Sequence, residues 1–161
     1  MAEQKKGAKE AFEESFFTTP AFQALTIGLP FSAFKMLFGL LCWRAGLGQV
    51  SSSLSILGGG IMVWAAIDLF MNLARIAFHL SGRASPIEYC IIAQAGRLIG
   101  RPRLFLAMDT MASFSIICIV LWSGWISHLS TLESRIWIAA TTLNLISVAF
   151  VNVWMELRRR W

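Results

Sequence analysis

Four long apolar stretches constrain this chain more than any other feature of its sequence. They cover residues 21–43, 54–74, 104–126 and 136–155. Each is close to the roughly 20 apolar residues that an α-helix needs to cross the hydrocarbon core of a bilayer. Because 57% of the 161 residues are hydrophobic and only 14% are charged, little chain remains for a soluble domain. We predict an all-α integral membrane protein, a single domain with four transmembrane helices.

Basic residues collect in alternate segments between these stretches. Eleven lysines and arginines lie in residues 1–19, in the segment between the second and third stretches, or at the C-terminus. The other two connections carry only Arg44 and Arg135. Since cytoplasmic loops accumulate Lys and Arg, we predict a bacterial-type inner membrane protein with both termini in the cytoplasm. Residues 1–19 mix Lys with Glu around no apolar core, which indicates a cytoplasmic segment and not a cleaved signal.

Tryptophans at the ends of the stretches support this orientation. Tryptophan is enriched where a span meets the membrane–water interface. We therefore expect an interfacial belt on the outer side, made of Trp43, Trp122, Trp125 and Trp137.

The segment between the second and third stretches has the pattern of a further helix over residues 86–99. Ser85 and Glu88 have the spacing of a capping box, and Pro86 suits the first helical position. One face of this helix would be apolar and the other polar, which predicts an amphipathic helix in the cytoplasmic interface; a helix packed under the bundle or on a partner is the alternative. We expect lipid headgroups or a partner to contact its basic residues and those after it, Arg97, Arg101 and Arg103.

Ionisable residues inside the spans are the candidates for function. A charged side chain at the centre of a span costs about 2.5 to 3.5 kcal/mol on insertion scales. The second span places four polar residues at i, i+4, i+7 and i+11, which share one helical face. Together with the charged residues of the first and third spans they form the predicted intramembrane polar cluster: Asp68, Asn72, Arg75, His79, Asp109 and Lys35.

Two interpretations of this cluster remain open. In the structural one, Asp68 and Asp109 pair with arginines such as Arg75 and hold the second and third spans together. In the functional one, the two carboxylates form a proton or cation site. We favour the structural interpretation because the polar residues concentrate in the cytoplasmic half of the spans. Lys35 lies further outward and would have to stretch to meet Asp68.

Two local features of the spans predict close packing. Pro30 removes a backbone donor inside the first span, so that a neighbouring helix must satisfy the carbonyl it frees. The glycine triplet at residues 58–60 would let the second span approach a neighbour closely; local unwinding of the helix is the alternative.

The sequence offers no recognisable catalytic, metal or cofactor site. The three cysteines are not placed to pair, which excludes a thiol oxidase of the four-helix type. His79 and His128 fall at opposite ends of their spans, so they cannot hold a haem between them. The basic residues are spread along the inner surface, which matches orientation and anionic lipid better than nucleic acid.

These observations favour a small non-catalytic subunit of a larger membrane complex, of the secretion, transport or respiratory type. Its expected partners are other membrane subunits or copies of itself, together with membrane lipids. The alternative is a self-assembling channel or carrier, coupled to ions or protons, that uses Asp68 and Asp109. A third hypothesis is a lipid-headgroup binder that acts through the basic inner segment.

Overall fold

The computed structural model of the protein describes residues 19–48 and 52–159, without the side chains of Met155, Arg158 and Arg159. Nearly all of the predicted N-terminal cytoplasmic segment, residues 1–18, lies outside this part. The regular secondary structure of the described residues is entirely helical. It comprises α1 (Pro20–Gly48), α2 (Ser52–Leu80), α3 (Ile91–Leu98), α4 (Pro102–Trp122), a 3₁₀ turn (Trp125–His128) and α5 (Thr131–Arg159).

Within the described ranges, four helices are long and apolar enough to cross a membrane, which confirms the predicted all-helical class. They are α1, α2, α4 and the Thr131–Trp154 part of α5. Helix α1 is the central one. We compare the buried share of the 18-residue apolar window in each of the four helices. It is 56% in α1, 22% in α2, 22% in α4 and 17% in α5. The other three helices therefore pack around α1 and expose most of their own surface.

Helices α1 and α2 cross closely at glycines. A Cβ on Gly58 would lie 2.5 Å from the Gly39 carbonyl oxygen and from the Trp43 backbone nitrogen. A Cβ on Gly46 would meet the Ser55 nitrogen at 2.3 Å. Since α2 continues without interruption through residues 58–60, Gly58 serves close packing, and the alternative of local unwinding does not occur.

The first turns of α1 are set by two prolines. Thr19 caps the helix by accepting a hydrogen bond from the Phe22 N–H, and Pro20 follows at the first helical position. A π-helical turn over Ala24–Gly28 then precedes Pro30. Pro30 has no N–H for the Thr26 carbonyl, and the Asn144 amide of α5 donates to that oxygen at 3.1 Å. This confirms the prediction that a neighbouring helix satisfies the freed carbonyl.

An apolar core fills the half of the bundle towards the C-terminal end of α1. Trp137 of α5 packs edge-on against Phe34 of α1, with ring centroids 4.8 Å apart. It is only 4% exposed, so it belongs to the core and not to the interfacial belt predicted for it. Trp122, by contrast, is 89% exposed. The core cluster comprises Phe31, Phe34, Leu37, Leu41, Val120, Leu129, Trp137 and Ala140.

A capping box opens α5. The Glu133 carboxylate accepts from the Ser130 N–H at 2.9 Å, and the Ser130 hydroxyl accepts from the Glu133 N–H at 3.4 Å. Arg44 at the end of α1 donates two hydrogen bonds to the same carboxylate, at 2.6 and 2.8 Å. The predicted capping box at Ser85 and Glu88 does not form, because the Glu88 N–H donates to the Gln94 side chain instead.

Helix α3 is shorter than the predicted helix over residues 86–99 and begins later. Cys90 is its N-cap, and the helix covers Ile91–Leu98. The preceding residues run back beside α2, so that the amino end of α3 lies next to Asp68, about 18 Å along α2 from its end. Gly96 then packs against Phe105 of α4. The chain thus enters the bundle and returns, a course that differs from the predicted helix along its cytoplasmic surface.

Candidate functional site

Three charged side chains from three helices meet inside the bundle. The Lys35 ammonium of α1 lies 2.7 Å from the Asp68 carboxylate of α2 and 2.6 Å from the Asp109 carboxylate of α4. The three side chains are 1%, 2% and 6% exposed. The ring of Trp64 lies 4.3 Å from the same ammonium nitrogen and adds a cation–π contact. We call Lys35, Asp68 and Asp109 the charged cluster.

The charged cluster is not neutral when all three groups are ionised. Two carboxylates against one ammonium leave a charge of −1. The described residues contain no salt bridge from another cation to either carboxylate. Because an unbalanced buried charge is costly in a medium of low dielectric, the cluster favours the approach of a second cation.

The segment before α3 completes the surroundings of Asp68. The second carboxylate oxygen of Asp68 accepts from the Ile91 N–H at 2.8 Å, at the first turn of α3. The Asn72 amide donates to the Asp68 carbonyl at 2.8 Å and to the Tyr89 carbonyl at 2.9 Å. Non-helical backbone at this depth is tolerated only where protein groups satisfy it, and Asp68 and Asn72 supply those partners.

A cavity of about 260 Å³ adjoins the charged cluster. It opens to the molecular surface between α4 and α5, two helices that barely contact each other along their lengths. Phe114 on α4 is 50% exposed and Val148 on α5 is 46% exposed at this opening. Polar groups from every side line the interior, among them Lys35, Asp68, Asn72, Tyr89, Asp109 and Asn144.

The carboxylates have a different partner from the arginines that we predicted. Both pair with Lys35, because α1 is central and its lysine stem projects between α2 and α4. Arg75 instead donates to the Ile87 carbonyl and stacks on Tyr89, with its guanidinium carbon 3.7 Å from the ring centroid. Arg101 and Arg103 are exposed.

The predicted polar face of α2 is buried along most of its length. Asp68, Asn72 and Arg75 are 1%, 1% and 7% exposed, whereas His79 at the end of the helix is exposed. Asp68 and Asn72 contribute to the cavity beside the charged cluster, and Arg75 and His79 line a separate pocket. Arg97 donates to the Pro86 carbonyl at 2.7 Å and lies 3.9 Å from Glu88.

Two residues at this site, Tyr89 and Gln23, carried no signal in the sequence. Tyr89 donates from its hydroxyl to the Gln23 side chain at 2.6 Å, which joins the segment before α3 to the start of α1. Asn144 lines the same cavity and bonds α1. The polar Asn144 within an apolar stretch does indicate a hydrogen bond between helices, which it makes to α1, whereas nothing in the sequence indicated the contact between Tyr89 and Gln23.

The described residues show no grouping of three or more His, Cys, Asp or Glu side chains that could hold a metal ion. Cys90 lies beside the charged cluster but is not a candidate nucleophile. Burial raises the pKa of its thiol to about 12, and the nearby Asp109 carboxylate acts in the same direction. The thiol therefore stays protonated, and its sulfur accepts from the Ala93 N–H at 3.3 Å.

Comparison with known proteins gives no relative for this fold or this site: no family model, no curated protein and no solved structure matches the chain.

Proposed function

We propose that this chain is a small non-catalytic subunit of a larger complex in a bacterial-type inner membrane, with both termini in the cytoplasm. The supporting geometry is the charged cluster, whose hydrogen bonds fix α1, α2, α4 and the amino end of α3 relative to one another. The apolar core lies directly beyond it towards the C-terminal end of α1. Such an arrangement suits a rigid scaffold better than a through-going pore.

The opening between α4 and α5 is the observation that carries the proposal. Behind it lie the charged cluster and the polar side chains of Thr110 and Asn144. Thr110, Asn144 and Lys35 already have hydrogen-bond partners within the chain, but the excess negative charge of the cluster has none among the described residues, and a charge close to lipid is costly. A protein partner that covers the opening removes this cost, whereas the apolar outer faces of α2 and α5 can remain in lipid.

The charge of the cluster indicates which partner fits. A second copy of this chain, docked through the same opening about a two-fold axis, would bring a second cluster of charge −1 towards the first. Like charges at close quarters in a low dielectric repel. A transmembrane helix of another protein that carries a lysine or arginine would compensate the charge instead. We therefore propose a heteromeric partner with a basic residue in its membrane span.

Site-directed cross-linking in native membranes tests this proposal. With the exposed Cys118 replaced by Ser, Phe114→Cys and Val148→Cys each place one thiol at the opening, and a maleimide that carries a benzophenone, attached to that thiol, would capture a neighbour there on irradiation by insertion into its C–H bonds. We expect both variants to yield one adduct of fixed mass with a different polypeptide. Ile56→Cys on α2, which is 72% exposed, serves as the matched control and should yield none.

Two outcomes contradict the proposal. Adducts of twice the mass of this chain would indicate a homo-oligomer joined through the opening. Equal capture by the Ile56→Cys control would show that the opening is not preferred over the rest of the surface.

One observation favours a second candidate, an ion- or proton-coupled carrier. The Asn72 Oδ1 atom is buried and has no hydrogen-bond partner among the described residues, and Asn72 lines the cavity next to Asp68 and Asp109. An acceptor beside two carboxylates suits a bound cation. Under this alternative the purified protein in vesicles transports a cation or protons, and Asp109→Asn abolishes the flux at unchanged expression. Absence of flux from the wild-type protein alone would exclude it.

A further inference from the structure

A second polar pocket lies at the C-terminal end of α2, away from the charged cluster. Its volume is about 350 Å³, and it is formed where α2 ends and α1 begins. Three of its lining residues are of basic types, namely Arg75, His79 and Arg83. The remaining lining residues are Pro20, Gly82, Ala84 and Ser85, so that no carboxylate of residues 19–48 or 52–159 lines this pocket.

Arg75 is the residue that points to a ligand. It is only 7% exposed, yet no carboxylate among the described residues lies within salt-bridge distance of it. One guanidinium nitrogen donates to the Ile87 carbonyl, and the buried Nε has no partner in the described part of the chain. A buried cation normally has an anion beside it, whereas the partners of Arg75 among the described residues are the Ile87 carbonyl and the Tyr89 ring.

The end of α2 brings the second arginine to the same pocket. Gly82 adopts a left-handed conformation with φ of 66°. The Arg83 N–H then bonds the Phe78 carbonyl at 2.9 Å and the Gly82 N–H bonds the His79 carbonyl at 3.0 Å, the two bonds of a Schellman motif. This turn reverses the chain, so that Arg83 lines the pocket together with Arg75 and His79, and it satisfies carbonyls that would otherwise repel an anion.

We infer that this pocket binds a phosphate group, as a monoester or a diester. Guanidinium groups are the preferred protein partners of phosphate because their planar donors match its oxygens. Ser85 lines the same pocket, with its hydroxyl hydrogen-bonded to the Ile87 backbone. The pocket lies at the ends of two membrane-length helices, the level at which lipid headgroups stand, so that an anionic phospholipid and a small soluble phosphate compound are the two sources of that group. The inference does not depend on the proposed partner at the α4–α5 opening.

Native mass spectrometry of the full-length protein tests the inference. The protein, stripped of lipid in neutral detergent, is titrated with phosphatidylglycerol, with phosphatidylcholine and with inorganic phosphate. We expect one molecule of phosphatidylglycerol to bind in preference to phosphatidylcholine. Arg83→Gln should weaken binding about fivefold, the effect of one basic group near an anionic headgroup. Arg75→Gln should weaken it at least tenfold, because it removes a buried hydrogen-bonded charge.

Arg135→Gln is the matched control, since Arg135 is an exposed arginine at the start of α5 and its loss should leave binding unchanged. Displacement of the lipid by inorganic phosphate would support recognition of the phosphate itself and a soluble source. Lack of displacement with selective lipid binding would support a lipid source. Arg75→Gln also removes the hydrogen bond to Ile87, so that a loss of binding in this variant could come from a change in the fold. Arg83→Gln is therefore the decisive variant. If it binds phosphatidylglycerol as tightly as the wild-type protein and Arg135→Gln do, the inference is overturned.

Discussion

Lys35 joins three helices through one ammonium group, and its environment explains how a charged residue is accommodated at this depth. Its nitrogen lies within 2.7 Å of two carboxylates and faces the ring of Trp64. Each hydrogen bond to a charged group contributes about 1.5 to 3 kcal/mol, which offsets the desolvation of the ammonium. The two carboxylates depend on Lys35, because its removal leaves both of them buried without a cation, whereas removal of either carboxylate leaves one neutral pair.

The residue-scale prediction concerns this dependence. Lys35→Met leaves Asp68 and Asp109 facing each other without a cation, and we expect the free energy of unfolding to fall by about 3 to 5 kcal/mol. Adding Asp68→Asn and Asp109→Asn to the same chain removes the uncompensated charge and should restore most of that loss. Unfolding by titration with sodium dodecyl sulfate in mixed micelles measures the free energy of unfolding of the Lys35→Met variant and of the triple variant. A triple variant as unstable as Lys35→Met would show that charge balance is not the cause.

Proline within α1 creates a demand that only a neighbouring helix can meet. Pro30 cannot donate to the Thr26 carbonyl, and Asn144 of α5 supplies that hydrogen bond from another helix. The glycines act in a comparable way on the other side of α1, since Gly58 allows the α2 backbone to approach Gly39. The packing of α1 against α5 therefore depends on a backbone carbonyl that Pro30 leaves free. Its packing against α2 depends on glycines that let the two backbones approach.

A double-mutant cycle tests this at the scale of the element. Asn144→Ala leaves a buried carbonyl unpaired and should cost about 1 to 3 kcal/mol of unfolding free energy. In the presence of Pro30→Ala the helix can supply its own N–H, so that the same Asn144→Ala change should cost much less. The exposed Asn152 on α5 provides the control, because Asn152→Ala should be neutral in both backgrounds. Equal costs for Asn144→Ala with and without Pro30 would refute the coupling.

The whole molecule is organised around α1, with α2, α4 and α5 on its surface. Arg44 and Glu133 join α1 to α5 near the 123–130 connection, whereas α4 and α5 barely contact each other. The gap between α4 and α5 is the opening to which we assign a partner. The hydrogen bond from Tyr89 to Gln23 places the short segment before α3 at the same end of the bundle as the N-terminal end of α1.

The distribution of basic residues gives the prediction for the whole chain. A reporter enzyme that is active only outside the cytoplasm should be active when inserted at Gly124, in the exposed connection between α4 and α5. The same reporter fused after Trp161 should be inactive, because the arginines beside it favour the cytoplasmic side. Activity at the C-terminal fusion would reverse the proposed orientation.

The sequence by itself determined the helical class and the four membrane-length helices, because the length and composition of an apolar stretch are local properties. It also anticipated that a neighbour must satisfy the carbonyl freed by Pro30. It misplaced the capping box: Ser85 and Glu88 have the same spacing as Ser130 and Glu133, but only the second pair forms one. Spacing alone cannot show whether another side chain, here Gln94, competes for the same N–H.

Only the tertiary structure decided which charges meet. The spacing along α2 put Asp68, Asn72 and Arg75 on one face, but it could not show that α1 is central and brings Lys35 between the carboxylates. The course of the segment before α3 was also undetermined, because its path depends on hydrogen bonds with Asp68 and Asn72. Such contacts join residues far apart in the chain, and their geometry follows from how the helices pack and not from any local pattern.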